Sequence, residues 1–268
     1  PKTLESTDGS YDLVLHFHGN TKVVAESVEH AGLSAAVAVV NLGIGSGVYE
    51  QAYAVPGTYE ALLGTLRSRM AERGLEKPRL RRLALSSWSA GYGAIGTILR
   101  MRKGDDPLDA VLILDGIHAG RIPGKVPHVD PINLGPWVGL AKKAVADDLL
   151  FSITHAEIDP VTYSGTNETA DYLLGQVGVE RGEPGAAPEH VNLVSAEGAV
   201  SKKAEKSLVP VSEARSGSFH VRGFTGNTPE HHMAHLLQMT STVVPELVQR
   251  WGRPVVERSL PNRATASR

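Results

Sequence analysis

The sequence predicts an α/β fold, a mostly parallel central sheet of about six strands flanked by helices on both faces. Three observations predict it. Short apolar segments rich in β-branched residues alternate with segments of helical length. The strand-like segments are apolar at consecutive positions, as strands covered on both faces must be. Gly74, Gly104 and Gly178 stand where helix C-termini are expected.

In chain order, the strand-like segments are Tyr11–Phe17, Ala35–Asn41, Leu83–Ser87, Ala110–Asp115, Leu149–Thr154 and Phe219–Phe224. Helical periodicity runs through Thr21–His30, Thr58–Arg73, Tyr92–Lys103, Pro136–Asp147, Asn167–Val177 and Pro229–Trp251. The stretch 181–217 is dominated by Gly, Pro, Ala, Glu and Lys. It reads as a flexible loop, with a short strand at His190–Ser195 the one exception. Residues 1–260 read as a single domain and 261–268 as a frayed tail. The segment Ala119–Pro136 is too short for a large cap, so any lid is minimal and the cleft open.

The chain of 268 residues is 41% hydrophobic and 21% charged, with a net charge of −2. That balance argues against a nucleic-acid partner, which favours a basic surface. No apolar run approaches the ~20 residues of a transmembrane helix. Cysteine is absent, which removes disulfides, thiolate metal sites and a cysteine nucleophile. The chain begins at Pro1; a removed leader, and with it a secreted or periplasmic location, fits this start, and a cytoplasmic one fits as well.

The most informative run is Leu80–Leu99, LRRLALSSWSAGYGAIGTIL. A strand stops near Ser87, Ser89 follows between Trp88 and Ala90, Gly91 and Gly93 come next, and a helix begins. This is the strand–tight turn–helix layout that lifts a serine oxygen out of a sheet edge, with Ser87 where glycine is usual. The Ala90 amide, at a helix start, is a candidate oxyanion donor. His18-Gly19-Asn20 closes the first strand and offers the Asn20 amide as a second donor.

Asp115 ends VLILD, the most apolar strand, where a carboxylate needs a structured partner. Glu157 and Asp159, after the next strand, are the rival acids. The base belongs late in the chain, in EHHMAH; His232, near the helix start, is favoured over His235 on the same face. His118 and His155 are candidate cleft-lining donors.

Other patterns compete with this one. His16 and His18 form an H-x-H pair that also opens some zinc sites, but HHMAH lacks the glutamate of H-E-x-x-H. Gly43, Gly45 and Gly47 imitate a dinucleotide loop, with the third glycine misplaced and no helix expected after it. Arg79, Arg81 and Arg82 read as a solvated strand edge. No cofactor or metal is expected.

In the order HGN, SWSAG, ILDG, ITHAE and EHHMAH, residues 10–250 resemble the α/β-hydrolase superfamily, and WSAGYGA with ILDGIH is most similar to a bacterial branch of it. The resemblance implies a trimmed version of that fold and acyl transfer, usually to water, by a serine, an acid and a histidine. It makes the chain a serine hydrolase of an ester or amide, esterase-like, acting on a small-molecule or lipid-like acyl substrate. Ser89, His232 and Asp115 would be its triad. The alternatives are a hydrolase-shaped binding protein with a degenerate site and a metal-dependent hydrolase using His16 and His18.

Overall fold

The computed structural model describes residues 8–124, 128–196 and 208–252. The tail 261–268 lies outside them. In chain order the elements are β1 (Ser10–Phe17), α1 (Thr21–His30), β2 (Ala36–Val40), α2 (Ser46–Ala54), α3 (Thr58–Glu72), β3 (Arg79–Trp88), α4 (Tyr92–Met101), β4 (Leu108–Leu114), α5 (Gly135–Val145), β5 (Leu150–His155), α6 (Thr166–Val177), β6 (Pro210–Ser216), β7 (Phe219–Phe224), α7 (Pro229–Leu237) and α8 (Val243–Trp251). The strands form one sheet of seven in the order β2-β1-β3-β4-β5-β7-β6. Every pairing is parallel except β6 with β7, a hairpin at one edge.

Strand parity assigns each apolar side chain to a layer. Leu13, Leu15 and Phe17 of β1, Leu83 and Leu85 of β3, and Val111 and Ile113 of β4 pack with α2 to α6. Val14, Ala84, Leu112 and Leu114 point to the other face and pack with α1, α7 and α8. This period-2 division of all-apolar strands is the physical meaning of a sheet covered on both sides.

Five expectations are corrected. The sheet has a seventh strand, β6, inside the stretch expected to be a loop. Its sequence, PVSEARS, is polar because an edge strand needs apolar side chains on only one face; Ala214 alone is buried. The segment His190–Ser195 is not a strand. Its end turns into a short 3₁₀ helix, Val194–Ala196, whose Val194 and Ser195 amides donate to Glu26 on α1.

Residues after the GIGSG run do open a helix, α2, whose N-cap Gly45 has φ +89°. Its glycine-bearing first turn hid it, whereas the buried pair Tyr49 and Tyr53, at i, i+4, carried the helical signal. The expected helix Pro229–Trp251 is two helices broken at 238–242. Ser241 and Thr242 hydroxyls turn back to the Gln238 carbonyl, and Pro245 in the first turn of α8 has no N–H to continue a helix from before it.

The arginines at the start of β3 are not merely solvated. Arg81 and Arg82 both bind Asp12, 2% exposed on the neighbouring β1, at 2.5–3.1 Å. Burial opposes ionisation of Asp12; the two guanidinium groups outweigh it and hold the carboxyl below its ordinary range.

Candidate active site

The carboxyl ends of β1, β3 and β4, neighbours in the sheet, carry three non-glycine residues with positive φ: His18 (+64°), Ser89 (+50°) and Asp115 (+48°). Such angles are rare for side-chain-bearing residues and cost of order 1–3 kcal/mol each. Here each follows a strand directly and reverses the chain over the sheet's edge. After β3, Ser89–Gly91 forms a single 3₁₀ turn and α4 begins at Tyr92.

Close backbone approach requires the small residues around this turn. A Cβ on Gly91 would lie 2.1 Å from the Phe17 carbonyl oxygen of β1. A Cβ on Gly116 would lie 2.9 Å from the Ser89 carbonyl oxygen. Ser87, the departure from the usual glycine, is fully buried and its hydroxyl has no hydrogen-bond partner among the described residues.

Ser89, Asp115 and His232 line one cavity of about 280 Å³. Asp115 is 4% exposed; its Oδ1 accepts from the Ala156 amide at 3.0 Å and its Oδ2 from His232 Nδ1 at 2.7 Å. Burial raises the carboxyl's pKa and is outweighed by the nearby His235 and His232 and the Ala156 amide, which bring it to about 2. An ionised carboxylate only accepts, so the proton of a neutral His232 sits on Nδ1 and Nε2 carries the lone pair. Among the described residues no hydrogen bond joins Ser89 Oγ to His232.

The imidazole is held by a residue that sequence reasoning passed over. The Trp88 indole N–H donates to the His232 carbonyl oxygen at 2.9 Å, and its ring lies against the His232 ring at 4.8 Å between centroids. On its other side Trp88 stacks on His18, at 5.3 Å and 10°. His18 Nδ1 is 2.9 Å from the Tyr49 hydroxyl of α2, and burial together with the His232 charge lowers the pKa of His18. The signal for Trp88 lay only in its adjacency to Ser89.

A second cavity, about 590 Å³, adjoins the first at Ser89, His118 and Tyr163. Ala90 and His18 line it, and Asn20 lines neither cavity. The Asn20 side chain caps α1, accepting from the Lys22 and Val23 amides. His118 stands between Tyr92 and Tyr163 rings, and burial lowers its pKa to about 4.

The remaining candidates are occupied elsewhere. Glu157 accepts from the Gly226 amide and braces the loop before α7. Asp159 is a surface carboxylate held by Arg121 and the Val161 amide. His235 is wholly buried against Thr154 and Phe224, away from both cavities. His155, also buried, is 3.0 Å from the Ala156 carbonyl.

His16 is enclosed between strands: Nε2 donates to the His18 carbonyl, so Nδ1 accepts from the Ser86 hydroxyl. With both its nitrogens engaged, the H-x-H pair is not a pair of open metal ligands. Among the described residues no three His, Asp or Glu side chains are grouped to hold a metal.

No family model and no curated protein matches the chain. Among solved structures, the chain has a similarity to LpqC, a poly(3-hydroxybutyrate) depolymerase from Bordetella parapertussis. The identity is 11%, the coverage 91% of this chain and 80% of that one, and the TM-score 0.39.

Proposed function

We propose that the protein is a serine hydrolase that cleaves an ester, or less readily an amide, through an acyl-enzyme. The observation that carries this reading is the pair of buried Asp115 and half-buried His232, 2.7 Å apart, sharing a cavity with a serine on a strained strand-to-helix turn.

Ser89 Oγ attacks the acyl carbon while His232 Nε2 takes its proton. The tetrahedral intermediate's oxyanion forms beside the Ala90 amide. His232 then protonates the leaving group, and the alcohol or amine departs. Water repeats the sequence on the acyl-enzyme, releasing the acid and restoring Ser89. Asp115 keeps the imidazole in the Nδ1–H tautomer and stabilises its charged form. The second oxyanion donor is left to the turn after β1, where the Gly19 amide is already taken by Asn41 and the Asn20 amide remains the candidate.

The test is labelling with a fluorophosphonate. We expect one adduct per chain, on Ser89, and none in Ser89→Ala. An active wild type that carries no serine adduct would overturn the mechanism. The missing Ser89–His232 hydrogen bond favours one other reading, a binding protein on the same scaffold. Absence of both labelling and turnover on activated esters would select it.

A further inference from the structure

The larger cavity has an order to it. Its floor is one face of α4, where Gly93, Gly96 and Arg100 follow one another at helical spacing and all line it. Gly93 lies against α2: a Cβ there would be 2.7 Å from the Ser46 carbonyl oxygen and 3.0 Å from Glu50 Cγ. Gly96 lies against Trp137, whose ring is 3.3 Å from where its Cβ would sit. Arg100 closes the series.

The helical rise puts Arg100 about 12 Å along the axis from Tyr92, beside the serine turn, and about 10 Å beyond Gly93. Glu50 is therefore near the serine end and Arg100 at the far end. Arg100 makes no ion pair among the described residues, and its one hydrogen bond is to the Thr97 hydroxyl of its own helix, at 2.9 Å. A last-turn cation also complements the helix dipole. That role does not require a place on the wall of the cavity that holds Ser89.

We propose that Arg100 is the anion-binding end of the substrate cleft, and that the preferred substrate carries a carboxylate on the order of 10 Å from its reacting carbonyl. The guanidinium fork pairs with a carboxylate in two parallel hydrogen bonds, which gives direction as well as charge. Between the ends, Gly93, Gly96 and Trp137 are part of the cavity's lining and carry no charge of their own. This inference rests on the hydrolase reading for the identity of the reacting carbonyl, but the anion site itself does not depend on turnover.

The experiment uses p-nitrophenyl half-esters of straight-chain dicarboxylic acids of graded length, each against the neutral monoester of equal length. The wild type should prefer the charged member by about tenfold or more in kcat/KM at one chain length, as one 1.4 kcal/mol interaction gives. Arg100→Gln should bring that ratio to about one, and Arg100→Glu should favour esters ending in an ammonium group. A ratio that is the same in wild type and Arg100→Gln overturns the proposal.

Binding of the same acids' monoanilides to Ser89→Ala, which lacks the attacking hydroxyl, with and without Arg100→Gln, gives the second readout. Weaker binding of the double variant supports the anion site even if no ester is cleaved, and unchanged binding rejects it. Lack of fluorophosphonate labelling, by contrast, counts against the serine mechanism alone.

Discussion

Ser89, Asp115 and His18 are held at backbone angles that glycine adopts without strain, and the chain uses side-chain-bearing residues there. Replacing Ser89 by glycine should therefore raise stability by about 1 kcal/mol, a shift of roughly 2–4 °C in a domain of this size. The same change should abolish turnover. Calorimetry beside an ester assay checks both, and a Ser89→Gly protein no more stable than Ser89→Ala would show the turn to be unstrained. Asp115→Asn keeps the shape and removes the charge. It should fold and lose about 10⁴ in kcat, as loss of the orienting carboxylate does in other triads; near-normal turnover, with Asp159→Asn inactive, would move the acid to the next strand end. Burial logic foresaw from the sequence that Asp115 has a structured partner, because a carboxylate ending VLILD demands one. It did not foresee the second role of Asn20, whose side-chain oxygen caps α1.

At the scale of elements, the strands were legible wherever both faces are buried, since apolar runs of that length have few alternatives. What stayed hidden is polar or broken. β6 is an edge strand without an apolar signature, and the α7–α8 break depends on hydroxyls competing with the backbone. The meeting of α2 with the serine turn is a matter of close approach that composition does not display. Gly91 tests the other close approach of the same turn, to β1. Gly91→Ala forces its methyl into the Phe17 carbonyl, so β1 and β3 must part; we expect a loss of about 3 kcal/mol or more on urea unfolding, at the upper end of overpacking effects. An alanine variant as stable as wild type would refute it. Trp88 is the corresponding link between β3 and α7. Trp88→Leu removes the indole bond and the ring contact, each worth about 1 kcal/mol, and should lower kcat by about tenfold or more with little change in KM. Trp88→Phe, which keeps a ring, should recover part of that loss, and equal rates in all three proteins would assign Trp88 to packing alone.

Across the whole molecule, the histidines set the response to acid. His16 and His235 are wholly buried, and burial depresses each to about 4. An unfolded histidine titrates near 6.5, so between those values the unfolded chain binds more protons. The stability these groups contribute is complete above pH 6.5 and is lost as pH falls through 6.5 toward 4, up to about 3 kcal/mol each. Asp115, depressed to about 2, adds a second loss between about pH 4 and 2. Urea midpoints measured from pH 8 to 4 should fall mainly below 6.5, and His235→Gln should flatten that fall; a flat profile in the wild type would contradict the burial of both rings.

The sheet order carries one more consequence, in time instead of energy. β1 joins β3 across some seventy residues of chain, and Asp115 meets His232 across 117. Closing such distances consumes chain entropy before any contact rewards it, so parallel, non-local topologies fold slowly. Helical signal should return early on dilution from denaturant, while reactivity toward a fluorophosphonate waits until the last strands are in register. On the proposed mechanism a competent nucleophile is thus a clock hand for completion of the fold, and a nascent chain is inert until α7, which carries His232, has arrived.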